Sequence, residues 1–251
     1  MSGSSAARRV LGCFPHPDDE MFAGGLLAWC AERGAIVELL CATRGEKGTD
    51  RRGTLPPGPE LAAWRSRELA AACAALGIGG PHFAELPDGG VADADRAAAV
   101  ALVGVHLERL RPDLVVTLDA DGAYGHRDHV AWTAIVADAV RARPTPPRLL
   151  HTVFPRGHFA RVWELGRRAG AVVELDPQRL GMDVAAADLR LDIRAQAARK
   201  LAACTAHDSQ LDVAPGSFFR RLFAPLMEVE WYVVAAGPPL PAGAGDPFAG
   251  L

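Results

Sequence analysis

Residues 10–20, VLGCFPHPDDE, join an uninterrupted apolar run to a dense group of polar side chains. The apolar part, residues 10–14, is typical of a strand that is covered on both faces. The apolar positions that follow have the spacing of one helix face: Phe22, Leu26, Trp29 and Cys30. The polar group therefore lies where a strand passes into a helix, and α/β proteins bind ligands at this carboxyl edge of the sheet. The sequence predicts an α/β fold with a functional site after its first strand.

The alternation of strand and helix patterns continues along the chain. Short apolar runs predict further strands: residues 36–42, 82–86, 114–118, 149–154, 188–193 and 229–234. Helical patterns separate the earlier strands, which indicates a Rossmann-like, mostly parallel sheet flanked by helices. We expect a single domain over residues 1–236 and a frayed Pro/Gly/Ala-rich tail at residues 237–251.

Composition narrows the class of protein. The chain has 251 residues, a net charge of −3 and 23% charged residues, an ordinary globular composition without a basic block, so nucleic acid is not an expected partner. No apolar run is long enough for a signal peptide or a membrane span, and the five cysteines include no CxxC pair. We therefore expect a reduced, cytoplasmic protein without membrane insertion; a homo-oligomer stays open.

A second polar group follows the predicted strand at residues 114–118. His126 and His129 are three residues apart, so both side chains can share one face of a first helical turn. Two histidines and one carboxylate are the usual ligand set of a catalytic zinc ion, and Asp19, three residues after His16, is the natural carboxylate. The same set suits Fe(II), but the oxygenases that use it are β-barrel-like, whereas this chain carries several Ala-rich helical patterns.

Ordinary structural roles explain some of these residues. Acids in the first turn of a helix stabilise it by under about 1 kcal/mol each, which accounts for Asp18 and Asp19 individually but not for His16. With Asp19 on a metal ion, Asp18 would point elsewhere and act as a base. From the residues alone, an i, i+3 pair with Glu68 on a solvated helix face is the first interpretation of Arg65, and Asp88 has an ordinary turn role as its alternative to a site role.

These motifs resemble those of the LmbE-like, or PIG-L, deacetylase family. The resemblance is carried by the strand followed by residues 16–20, by the Gly24-Gly25 pair and by residues 124–129, YGHRDH. Weaker similarities lie at residues 43–46 and 65–77 and in the segment from Lys200 to Gln210. The resemblance covers residues 8–212, with residues 144–190 poorly matched.

The family is one of zinc enzymes, and the resemblance implies one zinc ion per chain, with Fe²⁺ as the alternative in the same ligand set. By resemblance, His16, Asp19 and His129 are the zinc ligands. Asp18 is implied as the general base. His126 is implied either to polarise the substrate carbonyl or to protonate the leaving amine.

The resemblance also implies residues around this centre. Asp128 would orient a metal-binding histidine, and Tyr124 would hydrogen-bond the oxyanion. Arg65 and Asp88 would hold sugar hydroxyls. Arg127 stands where the family often has proline, and this extra cation either favours an acidic substrate or points into solvent, which we favour.

The implied activity is zinc-dependent removal of an N-acetyl, or other N-acyl, group from a glucosamine-containing small molecule. An amidase that acts on a thiol conjugate or on an acylated antibiotic precursor is the alternative within this chemistry. A metal- or sugar-binding module without catalysis is an alternative of a different class. It is disfavoured because every implied catalytic position, including Asp18, is occupied.

Overall fold

A computed structural model describes residues 7–251 as one seven-stranded sheet flanked by helices. Its strands are β1 (Arg9–Phe14), β2 (Ile36–Cys41), β3 (Pro81–Phe83), β4 (Leu114–Leu118), β5 (Arg148–Val153), β6 (Leu189–Asp192) and β7 (Val229–Ala236). The spatial order is β3-β2-β1-β4-β5-β7-β6; β1 to β5 are parallel to one another, and β7 is antiparallel to both β5 and β6. The predicted single α/β fold with a mostly parallel, Rossmann-like sheet is confirmed.

The helices follow the predicted alternation with the strands. They are α1 (Gly24–Glu32), α2 (Pro59–Leu76), α3 (Arg96–Leu110), the short α4 (Gly122–Gly125), α5 (Arg127–Arg141), α6 (Ala160–Arg168), α7 (Ala197–Ala206) and α8 (Phe218–Phe223). Within residues 7–251, no helix combines the length and the apolar character that crossing a membrane requires.

The two faces of the sheet are covered by separate apolar clusters. In β1, Val10 and Phe14 point into the cluster that contains α1, α2 and α7, while Leu11 and Cys13 point into the cluster beneath α3 and α5. This alternation is the two-residue period of a strand. A strand buried on both faces has no polar positions, which is why residues 10–14 are continuously apolar.

The chain does not pass directly from β1 into an α-helix. A 3₁₀ turn over Asp19–Ala23 precedes α1, and Asp18 before it has a φ of 118°. This is the left-handed region that non-glycine residues seldom adopt, and strain of this kind is found most often at functional sites. The turn separates the polar residues from α1 and lets them form their own loop.

A buried ion pair fixes the start of α1. Lys200 on α7 donates to Glu230 on β7 at 2.7 Å and to the carbonyl of Leu226 at 2.6 Å. The Glu230 carboxylate in turn accepts from the backbone N–H groups of Gly25 and Leu26, both at 2.8 Å. These amides belong to the first turn of α1, which has no helical partners for them and favours a negative charge. The ion pair thus ties three elements together behind the polar loop.

The expectation of a frayed tail is wrong. Arg148 on β5 is fully buried, and its guanidinium donates to four carbonyls of the tail at 2.7–2.9 Å: those of Pro238, Pro239, Pro247 and Ala249. A buried cation is costly unless it is hydrogen-bonded, so the tail supplies the acceptors that Arg148 needs. Composition alone does not reveal this contact.

Replacement of Lys200 by methionine tests the buried ion pair. We expect Lys200→Met to lower the free energy of unfolding by about 3–5 kcal/mol, because the Glu230 carboxylate would remain buried without its cation. The neighbouring Arg199 forms an exposed pair with Glu32, so Arg199→Met should cost under about 1 kcal/mol. Urea unfolding of both variants measures the difference, and equal midpoints with unchanged m-values would contradict the role of the buried pair.

Candidate active site

The loops after β1 and β4 meet because these two strands are neighbours in the sheet. β1 pairs with β4 in parallel, from Val10 with Leu114 to Gly12 with Val116, so their carboxyl ends lie side by side. The loop after β1 carries residues 16–20, and the loop after β4 leads into α5 with His126 and His129. The predicted location of the site, at the ends of the first and fourth strands, is where these groups lie.

Backbone geometry holds His129 in place. Gly122, in the loop after β4, has a φ of 60°, and a Cβ there would lie 2.6 Å from the Cβ of His129. The carbonyl of Gly122 contacts Nδ1 of His129 at 3.1 Å. Only glycine allows both this turn and this close approach. The loop therefore presses directly against the histidine that it positions.

Three side-chain atoms converge on one point between the loops. Nδ1 of His16 lies 3.2 Å from Oδ2 of Asp19 and 3.1 Å from Nε2 of His129, and the last two atoms are 3.3 Å apart. Zinc bonds of about 2.0–2.1 Å in tetrahedral geometry require ligand atoms about 3.3 Å apart. The triangle of ligand atoms therefore has the size that a tetrahedral zinc site requires.

The tautomers also suit a cation. Nδ1 of His129 faces the Gly122 carbonyl and must carry its proton, so Nε2 presents a lone pair. Nε2 of His16 faces carboxylate oxygens of Asp88 at 3.2 Å and Asp128 at 3.3 Å, which hold a proton there, so in the neutral ring that binds metals Nδ1 presents a lone pair. Two nitrogen lone pairs and one carboxylate oxygen thus face each other, an arrangement that a bound metal ion would stabilise.

The charges of these groups follow from their surroundings. Burial would raise the pKa of Asp19, but His129 and His16 hold that pKa at about 2. Burial lowers the pKa of His129 to about 3. Burial would lower the pKa of His16 too, yet hydrogen bonds to Asp128, Asp19 and Asp88 raise it well above its usual range. Asp19 is ionised and His129 neutral, the forms that bind metals, whereas the carboxylates around His16 favour a second proton on its ring, which a metal ion on Nδ1 would replace.

Asp18 lies beside this triangle and is held by Arg65. Its carboxylate is 3.3 Å from the Arg65 guanidinium, and its backbone N–H donates to Glu20 at 3.0 Å. Burial raises the pKa of Asp18 to about 7, against the opposing effect of Arg65. Glu20 itself pairs with the buried His207 at 2.6 Å. A strained, half-buried carboxylate is thus kept in one position with a pKa suited to proton transfer near neutral pH.

His126 presents a hydrogen-bond donor to the same space. Its Nδ1 accepts from the backbone N–H of Asp128 at 3.2 Å, so the proton of the neutral ring sits on Nε2. Burial lowers the pKa of His126 below its usual value and keeps the ring neutral. One of its nitrogens lies within 4.8 Å of ligand nitrogens of His16 and His129. Because the Nδ1 lone pair accepts from Asp128 and Nε2 carries the proton, the neutral ring has no free lone pair for a metal ion, whereas Oδ2 of Asp19 lies 3.2–3.3 Å from both other nitrogens.

The remaining predicted site residues lie around the same pocket, which has a volume of about 520 Å³. Tyr124 packs edge-on against His129 with ring centroids 4.9 Å apart. Asp128 contacts His16 and accepts from the backbone N–H groups of Gly89 at 2.7 Å and Val91 at 3.2 Å. The position of Asp128 is thus the one expected of a residue that orients a histidine.

Arg65 and Asp88 contact backbone groups and His16, and not the partners expected from the sequence. Arg65 donates to the carbonyls of Pro17 at 2.6 Å and Gly45 at 2.9 Å, in addition to its contact with Asp18. Asp88 accepts from the backbone N–H of Lys47 at 2.8 Å and contacts His16. Both line the pocket, but these polar atoms hold the site together.

Other pocket residues were not singled out from the sequence. Lys47, Gly48 and Gln210 line one part of the pocket, and residues 169–171 line another. The bridge between His126 and Val172 attaches this second segment to the site. It belongs to the region with the weakest family resemblance, and nothing in its composition indicates a pocket wall.

Comparison with known proteins agrees with these motifs. The model of the GlcNAc-PI de-N-acetylase family, PIG-L, matches residues 11–140. The 1D-myo-inositol 2-acetamido-2-deoxy-alpha-D-glucopyranoside deacetylase of Mycobacterium sp. (strain JLS) is 32% identical over 270 residues, covering 96% of this chain and 88% of that protein.

Solved structures share the fold. The 4-carboxy-2-hydroxymuconate hydratase GalB of Pseudomonas putida KT2440 aligns with a TM-score of 0.67 at 17% identity, over 94% of this chain and all of that one. The N,N'-diacetylchitobiose deacetylase of Pyrococcus horikoshii aligns with a TM-score of 0.64 at 20% identity, over 91% of this chain and 84% of that one. A hydratase and a deacetylase thus share this architecture, and the reaction has to be argued from the site.

Two arginines on α2 test the support of the polar loop. We expect Arg65→Lys to lower the free energy of unfolding by about 1–3 kcal/mol, because one ammonium cannot replace both hydrogen bonds to the Pro17 and Gly45 carbonyls. Arg67 is exposed and stacks 5.0 Å from the Trp64 ring, so Arg67→Lys is the matched control and should change stability by less than about 0.5 kcal/mol. Thermal unfolding separates the two, and indistinguishable transitions would contradict this role of Arg65.

Proposed function

This chain belongs to the PIG-L, or GlcNAc-PI de-N-acetylase, family, and from that premise we propose that it is a zinc-dependent hydrolase that removes the N-acetyl group from a glucosamine-containing small molecule. The observation that carries the proposal is the convergence of the His16, Asp19 and His129 lone pairs beside Asp18. The curated relative is named for the deacetylation of an N-acetylglucosamine–inositol conjugate, which supports an amino-sugar substrate.

The ligand set supports zinc as the metal. Two imidazole nitrogens and one carboxylate oxygen are the ligands of many catalytic zinc sites, in which the fourth position stays open for water. Fe²⁺ accepts the same atoms and is the alternative. A zinc ion held there would supply a water of lowered pKa and would polarise the substrate carbonyl.

The proton transfers are assigned to this chain's own side chains. Asp18 takes a proton from the attacking water as the carbon–oxygen bond forms, since its pKa near 7 matches that task. Arg65 keeps the carboxylate in position. As the carbon–nitrogen bond breaks, Asp18 returns the proton to the nitrogen, and the products are acetate and the free amine.

His126 acts on the carbonyl oxygen in this proposal. Its neutral ring carries a proton on Nε2, so it donates a hydrogen bond as negative charge develops on the oxygen. The Tyr124 hydroxyl is the second donor from the same pocket. Asp88 and Asp128 hold His16 through its Nε2–H. This division of roles uses each predicted residue once.

A binding module without catalysis is less well supported. Such a module would need the three metal ligands but would gain nothing from Asp18, whose left-handed backbone costs on the order of 1–3 kcal/mol. The surrounding contacts from Glu20 and Arg65 keep this strained residue in place. Strain held beside a metal site favours a chemical role for the side chain.

Release of free amine tests the proposed reaction directly. N-acetylglucosamine conjugates with inositol, malate and lipid aglycones should be assayed with zinc restored and again with a chelator. We expect zinc-dependent amine release from at least one conjugate, lost on chelation and recovered when zinc is added back. Absence of release from every conjugate by protein with zinc bound would contradict the proposed substrate class.

The roles of the two adjacent aspartates are separable. Asp19→Ala should weaken zinc binding by more than about 100-fold, because a ligand is lost. Asp18→Ala should keep one zinc per chain but lower kcat/KM by about 10²–10⁴-fold, because the base is lost. Metal analysis after dialysis and amine-release kinetics measure the two effects, with Asp138→Ala, a half-buried position on α5 paired with Arg96, as the control. Zinc content unchanged in Asp19→Ala, or full activity in Asp18→Ala, would remove the corresponding assignment.

A further inference from the structure

Two cations line the pocket in addition to the buried Arg65. They are Lys47, in the loop after β2, and Arg127, the first residue of α5, and both side chains are exposed. The proposed reaction uses neither of them. Their surroundings indicate what they bind.

Lys47 is fixed relative to the metal-binding histidine. Its backbone N–H donates to Asp88 at 2.8 Å, and Asp88 contacts Nε2 of His16 at 3.2 Å. Within residues 7–251 its ammonium forms no ion pair. Its Nζ lies 3.4 Å from the point that a Cβ on Gly89 would occupy. Lys47 is one of only two lysines in the sequence, and the other, Lys200, is buried in an ion pair.

Arg127 lies between two residues of the site, His126 and Asp128. Its backbone N–H donates to the carbonyl of Ala171 at 3.1 Å, which ties it to the outer wall of the pocket. Its guanidinium is 3.9 Å from Asp93, an exposed carboxylate at the limit of an ion pair. A cation at a helix N-terminus opposes the helix dipole, so Arg127 costs stability where it stands.

The acids of the pocket do not neutralise these two cations. Asp18 faces Arg65, Asp19 faces His16 and His129, and Asp88 and Asp128 both face His16. The negative charge is therefore concentrated at the proposed reaction centre, and Lys47 and Arg127 remain available. Residues 169–171, which also line the pocket, are small, and a Cβ on Gly170 would have nothing within 4 Å, so this wall leaves space for a substituent.

We propose that the substrate carries an anionic group, a carboxylate or a phosphate, on the aglycone of its N-acetylated amino sugar, and that Lys47 and Arg127 bind this group. The inference rests on the proposed function and narrows its substrate class. It assigns Arg127 a substrate contact in place of the solvent-facing role favoured from sequence alone.

Matched glycosides of N-acetylglucosamine test the proposal with one charge as the variable. The methyl and carboxymethyl glycosides differ by a carboxylate, and N-acetylglucosamine 1-phosphate supplies the phosphate. We expect wild-type kcat/KM for the carboxymethyl glycoside to exceed that for the methyl glycoside by about tenfold at low salt, because two exposed ion pairs contribute. The ratio should fall as ionic strength rises. A higher value for the phosphate than for the carboxymethyl compound identifies phosphate, and the reverse identifies carboxylate.

Substitutions assign the effect to the two cations. Lys47→Met and Arg127→Gln should each lower the ratio of anionic to neutral kcat/KM by about two- to fivefold, mainly through KM. Arg190 is exposed on β6, far from the pocket. Arg190→Gln therefore removes one positive charge at a distance from the site and should keep the wild-type ratio. A ratio that falls equally in Arg190→Gln would show a general charge effect and overturn the proposal.

Chemical labelling gives a readout that does not depend on turnover. In the Asp18→Ala background with zinc bound, acylation of Lys47 by an anhydride is followed by peptide mass spectrometry. The carboxymethyl glycoside should slow labelling of Lys47 at least about threefold more than the methyl glycoside does, with the N-terminal amine as the internal reference. Equal protection by both glycosides would overturn the role of Lys47.

The outcomes separate this inference from the proposed function. Amine release from both glycosides with equal kcat/KM would overturn the anionic site and leave the deacetylase assignment intact. No release from any glycoside, together with selective protection of Lys47 by the anionic compound, would leave the anionic site standing and overturn the reaction.

Discussion

The structure depends on one constraint: His16 and His129, 113 residues apart in sequence, must bring ring nitrogens to within 3.1 Å of each other. The parallel pairing of β1 with β4 makes this possible, because it places the loops that follow the two strands side by side. The strand order reverses direction at this pair, with β2 and β3 on one side and β5 on the other. In open α/β sheets this reversal leaves a crevice, because successive helices pack on opposite faces. The sheet order therefore creates both the space and the convergence of the proposed metal ligands.

The polar loop after β1 is unfavourable by itself, and its neighbours compensate for that. Asp18 has a strained backbone, and several buried carboxylates crowd around His16. Each carboxylate is held by a partner from a distant part of the chain. Arg65 on α2 holds Asp18, His207 pairs with Glu20, and the backbone N–H of Gly89 donates to Asp128. Buried polar groups are stabilising only when such networks are complete. The rigid parts of the fold thus maintain an arrangement that the loop alone would not keep.

Sequence periodicity predicted the strands and helices, whose apolar positions recur at regular intervals. It missed contacts between single residues that are far apart in sequence. The apolar runs located the strands, and the strand-to-helix junctions brought His16, Asp19 and His129 to one edge. The contacts of Arg65 with backbone carbonyls, the capping of α1 by Glu230 and the attachment of the tail to Arg148 were not predicted. In each case a polar side chain binds backbone groups far away in sequence, and no local pattern records such a partner.

The inner and outer parts of the pocket are built differently. Strand ends and the first turn of α5 fix the reaction centre, so small shifts of the fold would disrupt it. The outer part comes from the loop that holds Lys47 and from residues 169–171, which lie outside the helices and strands. Loops on a rigid scaffold tolerate change in ways that core elements do not. The chemistry can therefore stay constant while the outer residues change which molecule enters the pocket. A hydratase has the same architecture, so the fold alone determines neither the reaction nor the substrate.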